Sequence, residues 1–460
     1  MHTHGHTWSH MVTHVHNAFS LNKNRWLRAF AMIRMSSKNT KRNVGIVALV
    51  VVILVAVAGG YYFTAMNNSQ STSDTSMMTS ESSMVPSATS MTTPAMTSAT
   101  MSETSMTSSV AAWQPTTPVS ILGAGATFPQ PLIQTWTVEY NKLYPDVTIS
   151  YSGIGSGGGI QQITLKTVDF GASDAPLSNA QLQAAPGLVL FPETLGGVAI
   201  TYNLVAWGIT NTTVLHFTPD VIAKIYMGII TKWNDPALVA LNPGVPLPSA
   251  FITAVHRSDG SGTTFAFTNF LSVTVPNWAA QVGYSTSVTW PVDTLPGAYG
   301  VGAKGNPGVA GTVLNTHGAI GYVDVIYAVS NHLGVGAVIN SAGNFVLPTL
   351  QTILWAAQNA TGTPNYQDLR LHIVNAAGPQ SYPISTYTYI LVYRDMSANP
   401  STTEAKAEAL AHFLWWAIHD GQQYSSALIY VPLPANVVAA DEQLLLTLNY
   451  QGTPLLTAAG

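Results

Sequence analysis

From residue 118 onward the sequence predicts an α/β fold. Short β-branched or apolar runs at 119–122, 147–151, 198–202, 252–256 and 387–393 alternate with amphipathic stretches at 132–144, 219–226, 264–271 and 403–418. Strand–turn–helix alternation sustained to the C-terminus predicts a largely parallel sheet, or two of them. No internal repeat breaks the pattern.

The part that precedes this region is of another kind. Residues 1–43 form a basic, His-rich leader with six histidines in its first 16 positions, read as a tag-like or upstream-started segment or as a metal-binding tract. Residues 44–63, VGIVALVVVILVAVAGGYYF, are uninterrupted apolar sequence behind Lys38, Lys41 and Arg42. A helix of that length spans a hydrocarbon core about 30 Å thick, and the basic flank orients its N-terminal end to the cytoplasm. A retained anchor is expected; the alternative is a cleaved signal ending at Ala58. Residues 64–118 are about half Ser and Thr. Such a stretch buries too little apolar surface to offset chain entropy and reads as a disordered, glycosylated stalk. Asn67, Asn211 and Asn359 head N-glycosylation triplets.

Composition narrows the chemistry. Only 8% of residues are charged, against about 25% in ordinary globular chains. Cysteine is absent, which excludes disulfides, Cys-ligated metal and a thiol nucleophile. Seven of the 16 Lys and Arg residues lie in the first 42 positions; the remainder of the chain carries nine basic and all 20 acidic residues. A body so acidic repels phosphodiester backbones, so nucleic acid is not an expected partner. Any anion it binds must be met by local dipoles.

Three turns offer such dipoles: Gly123 to Pro129 (GAGATFP), Gly153 to Gly159 (GIGSGGG) and Arg257 to Thr264 (RSDGSGTT). Each ends a strand and opens a helix, where unpaired N–H groups and the macrodipole favour an anion. Glycine allows close approach, and Ser or Thr supplies a cap or an O–H donor. A fourth segment, Asp169 to Pro176 (DFGASDAP), ends a strand with the carboxylate of Asp174. Individually these are also what ordinary tight connections and helix caps look like. The match of residues 153–158 to G-x-G-x-x-G lies mid-chain and is a weak dinucleotide signal, and no P-loop is present. Arg257 and Asp259, two positions apart, can face one side of an extended segment and pair. The seven histidines beyond the leader are scattered without ligand spacing, and no G-x-S-x-G elbow occurs.

In order, GAGATFPQPLIQTW (123–136), YSGIGSGGGIQQI (151–163), TVDFGASDAPLS (167–178), FPETLGGVAITYNL (191–204), VHRSDGSGTTFAFTNFL (255–271), GAIGYVD (318–324) and YPISTYTYILVYRD (382–395) resemble the phosphate-binding subunit of Pst-type ABC phosphate importers. The resemblance covers nearly all of 119–450. It implies a periplasmic-binding-protein fold of two α/β lobes, residues 119–203 with 325–460 and residues 204–324, joined by crossing strands and closing on a ligand. It also implies the ligands of a dehydrated inorganic phosphate: Thr127, Phe128, Ser156, Asp174, Arg257, Ser261, Gly262 and Thr263, with Asp259 pairing Arg257. No metal, cofactor or catalytic residue is implied.

The expected partners are an ABC permease with its ATPase, and the membrane through residues 44–63; a monomer on the cell surface is expected. Anchor and stalk resemble those of archaeal surface members of the family. A phosphatase-like activity, an arsenate-binding role and an adhesion role are the alternatives. Phosphate keeps a proton near neutral pH that Asp174 can accept, and sulfate has none, which gives the buried carboxylate a selective role.

Overall fold

A computed structural model of the chain describes residues 110–458. The chain first lays down β1 (Val119–Gly125), β2 (Val147–Gly153) and β3 (Phe170–Ser173), then the long β4 (Leu188–Tyr202). The short β5 (His216–Phe217) follows, then β6 (Thr253–Arg257), β7 (Tyr299–Ala303) and β8 (Ala319–Asp324). Three short strands, β9 (Gly334–Val335), β10 (Ala337–Ile339) and β11 (Phe345–Val346), precede β12 (Ser385–Tyr393).

One curled sheet runs β2-β1-β3-β12-β4-β8-β6-β7, with β9 on the end of β4. β1 is parallel to β2 and β3, and β6 is parallel to β7 and β8. Between these parallel parts, β12 runs antiparallel to β3 and β4, and β4 runs antiparallel to β8. The sheet is therefore mixed where a largely parallel one was expected. The cause is β4, which the sequence showed only from 198 but which begins at Leu188. Its first part pairs with β12 as far as Gly197, and from Val198 it pairs with β8. One strand thus serves a first half (β1, β2, β3, β12) and a second half (β6, β7, β8).

Helices cover the sheet, and those that open at the small-residue turns position the site. α1 (Gln130–Leu143) buries Leu132, Ile133, Trp136 and Tyr140, a stripe at helical spacing. α2 (Ser156–Thr164) packs so closely that a Cβ on Gly159 would come within 2.5 Å of the Gly125 Cα. α3 (Gly262–Thr274) is capped by the Ser261 hydroxyl, which accepts from the Thr264 N–H, and α4 (Gly305–Asn315) follows β7. α5 (Glu404–Ile418) is buried along most of its length.

Residues 110–118, counted in the expected stalk, lie against the first half. Val110 bridges Ala458, and the Trp113 ring stacks on His412 with centroids 4.7 Å apart. The leader, the apolar segment 44–63 and the stalk up to residue 109 lie outside the described residues. Among the described residues no helix is long and apolar enough to cross a membrane.

Candidate functional site

The turns singled out in the sequence meet where the two halves face each other. Thr127 ends the β1 turn, Ser156 opens α2, and Asp174 follows β3; all three belong to the first half and are buried. Arg257 ends β6, and Ser261, Gly262 and Thr263 open α3 in the second half, also buried.

Direct bonds join the two sides. The Gly157 N–H donates to the Gly260 carbonyl at 2.9 Å, and the Gly262 N–H donates to Ser156 Oγ at 2.9 Å. Asn306, at the start of α4, donates to Thr127 Oγ1 from its backbone N–H at 3.0 Å and from Nδ2 at 3.1 Å. The fit leaves no room for side chains. A Cβ on Gly155 would come within 2.3 Å of Asp259 Oδ2, and Gly155 has φ +87°. A Cβ on Gly262 would meet that of Asp174 at 2.5 Å.

The hydroxyls are oriented by counting. A Ser or Thr oxygen has two lone pairs and one hydrogen. Both lone pairs of Thr127 Oγ1 are taken by Asn306, and both of Ser156 Oγ by the N–H groups of Gly262 and, at 3.2 Å, Asp174. Each hydroxyl therefore keeps only its hydrogen to offer. The backbone adds to them, because the N–H groups of Thr127 and Phe128 donate to no other group among the described residues. Phe128 is pinned by its ring against Gly196 and by its carbonyl, which accepts from Tyr430 Oη at 2.6 Å.

Arg257 supplies a strong positive charge, the one at this site among the described residues. Its Nε and Nη2 donate to Asp259 Oδ1 and Oδ2 at 2.8 and 2.6 Å, a bidentate pair, and its N–H donates to Tyr322 Oη at 3.1 Å. Tyr322 stacks on Phe267 at 4.2 Å, so an aromatic layer fixes the end of β6. Burial works against the Asp259 charge, but Arg257 and the Gly305 N–H outweigh it and hold that carboxyl below its ordinary value. Arg257 Nη1 also donates to Thr263 Oγ1 at 3.4 Å.

Asp174 stands opposite. Burial lifts its carboxyl from 3.8 to about 7, against the pull of Arg257 and of two hydroxyls. Those hydroxyls come from far along the chain: Thr388 donates to Oδ1 at 3.1 Å and Thr263 to Oδ2 at 3.4 Å. The carboxylate is thus not an ordinary cap of its own turn.

Ser261 is the predicted residue most committed to structure. Its N–H donates to the Thr286 carbonyl at 2.8 Å and its hydroxyl accepts the α3 cap bond, which leaves the O–H to give. The sequence reasoning missed Asn306, Thr388, Glu193 and Asp324, all buried around Asp174 and Thr127. A lone Glu in the apolar run of β4 was the available signal for Glu193; Asn306 carried none. Among the described residues no group of three His, Asp or Glu is placed to hold a metal ion.

The chain matches the model of the PBP superfamily domain over residues 77–420. It is 42% identical over 327 residues to a phosphate-binding protein PstS of Xylella fastidiosa, covering 71% of this chain and 85% of that one. A PstS of Methanocaldococcus jannaschii is 36% identical over 336 residues, covering 70% and 85% respectively. The crystal structure of a phosphate binding protein from Stenotrophomonas maltophilia superposes with a TM-score of 0.54 at 19% identity, covering 73% of this chain and 96% of that one, a likeness of fold. The curled α/β sheet, the ordered motifs and the extent of these matches agree: the chain belongs to the PBP superfamily and, within it, to the family of PstS phosphate-binding proteins.

Proposed function

We propose that the chain is an extracytoplasmic solute-binding protein that captures inorganic phosphate between its two halves and delivers it to an ABC permease and its ATPase. One observation carries the reading. Hydroxyls whose lone pairs are already occupied, free N–H groups and one buried arginine converge on a buried carboxylate. That set suits a tetrahedral oxyanion that still carries a proton: many donors for its oxygens, one acceptor for its hydroxyl. Thr127, Phe128, Ser156, Arg257 and Ser261 would donate directly, Gly262 and Thr263 would turn their donors from Ser156 and Asp174 to the ligand, Asp174 would accept, and Asp259 would orient Arg257. Binding, not turnover, is the reading, since both nitrogens of the neighbouring His256 are engaged, by the Arg257 carbonyl and by Asp293.

Two lobes, residues 119–203 with 325–460 and residues 204–324, would close as a clamp about the hand-over in β4 and the junction of Asp324 with Val325. Residues 44–63 would hold a monomer at the outer face of the cytoplasmic membrane, with the Ser/Thr-rich stretch as spacer. Titration calorimetry of the purified chain with phosphate, arsenate and sulfate tests the binding reading. Phosphate should bind and sulfate should not; equal binding of both would remove the role given to Asp174. Membrane fractionation with sequencing of the native N-terminus tests the anchor, which a chain beginning at Gly59 would refute.

A further inference from the structure

Thr388 poses a counting problem that the ligand set does not solve. Its Oγ1 lies 3.1 Å from Asp174 Oδ1 and 3.1 Å from Glu193 Oε1. A hydroxyl has one hydrogen, so it can donate to only one of two carboxylates. The other oxygen can stay in contact only if its own carboxyl carries a proton and donates to Thr388.

The backbone explains how Glu193 comes to be there. Along β4 and β12 the register runs Thr388 opposite Thr194, then Tyr389 opposite Pro192. Glu193 is the unpaired residue of a β-bulge, a device that turns one side chain out of the regular alternation. Its side chain is completely buried, and Oε2 has no hydrogen-bond partner.

The groups facing the pair decide where the proton rests. Asp174 faces Arg257 and the hydroxyl of Thr263, and the Arg257–Asp259 pair lies behind them. Tyr151 from β2, Tyr327 and Tyr430 are neutral neighbours, and Asp324 is a further buried carboxyl that burial raises well above its ordinary value. Among the described residues no cation faces Glu193, and an unpaired carboxylate buried there is far costlier than the neutral acid.

We propose that Glu193 is a protonated positioning residue that donates to Thr388, so that Thr388 in turn donates to Asp174 and keeps it an ionised acceptor for the hydroxyl of the bound oxyanion. The inference rests on the phosphate reading given above. Burial and the nearby Asp174 charge agree with it, raising the Glu193 carboxyl from 4.5 to about 8, above Asp174. Two consequences follow for binding. Loss of the Glu193 proton leaves two charges sharing one hydrogen beside an anion, so affinity must fall as Glu193 ionises. Loss of the Thr388 hydroxyl must weaken the preference for a protonated oxyanion.

The test is calorimetry of phosphate and sulfate binding to the full chain, as wild type, Glu193→Gln and Thr388→Val, from about pH 6 to about pH 9.5. Glutamine keeps a donor toward Thr388 but cannot ionise. Relative to Glu193→Gln, wild-type phosphate affinity should fall above about pH 8 by up to about tenfold per pH unit. Thr388→Val should lose several-fold in the phosphate-to-sulfate ratio at pH 7, and it keeps the question open if Glu193→Gln does not fold. Parallel pH profiles for wild type and Glu193→Gln, or an unchanged ratio in Thr388→Val, overturn the inference while leaving phosphate binding standing. A wild type that binds no phosphate at any pH overturns the functional reading and this inference together.

Discussion

Replacing Asp174 by Asn separates a ligand-reading carboxylate from a structural one. Burial raises the Asp174 carboxyl from 3.8 to about 7, so the folded chain without ligand resists its ionisation. At about 1.4 kcal/mol per pH unit, that resistance amounts to at most roughly 4 kcal/mol of stability forgone at pH 8. Asparagine has the same shape and no charge. Its Oδ1 can still accept from Thr388 or Thr263, while its Nδ2 offers hydrogen where the ligand's hydroxyl expects an acceptor. The ligand-free variant should therefore melt higher than wild type at pH 8 and no higher near pH 4. Phosphate should bind somewhat more weakly. Sulfate, no longer facing a like charge, should gain on phosphate by an order of magnitude or more, about 1.4 kcal/mol per decade. Differential scanning calorimetry gives the first result and titration with each anion the second. A variant less stable at pH 8, with an unaltered phosphate-to-sulfate ratio, would refute the reasoning and make Asp174 a packing residue.

Arg257→Ala should reduce phosphate affinity by about 2–5 kcal/mol in titration calorimetry. Because the Arg257 side chain is only 1% exposed and pairs with Asp259, the variant should also lose stability, so circular dichroism must accompany the binding data. Gly155→Ala should weaken binding by about tenfold or more, since the new methyl group would strike Asp259 and the Gly260 carbonyl as the halves meet. The ligand-free protein should be more stable at pH 5 than at pH 8 in thermal melts. Asp174 and Glu193 have folded values raised to about 7 and about 8, so the stability they lend is present in acid and is lost as pH rises through those values. Stability constant across that range would count against both burials.

The anion-holding turns were legible because their chemistry is local. Glycine for close approach, a hydroxyl at a cap and Arg257 two residues before Asp259 are all written within eight positions or fewer. Strands β1, β2, β6 and β12 were legible for the same reason. The mixed sheet was not, because antiparallel pairing of β4 with β12 joins residues nearly 200 apart, and periodicity carries no information about partners. Asn306 illustrates the limit at the site. It binds Thr127 and Thr263, which lie 179 and 43 residues away, and nothing in the run around it marks an asparagine for that task. Glu193 needed a bulge as well as burial, and a bulge is a property of two strands. Arg257 is enclosed, its side chain 1% exposed, and no local pattern foretells that, because enclosure depends on how the halves fit.

The bridge of Val110 to Ala458, with Trp113 stacked on His412, joins both ends of the described chain to the first half. No terminal segment of the described residues leaves from the second half. A pull arriving along the chain ahead of residue 110 would therefore enter and be borne by one jaw. The other jaw, attached only through the middle of the chain, would feel no tension across the cleft. Were residues 44–63 to hold the chain at a surface as proposed, a clamp wired in this way could be dragged or tilted without being prised open.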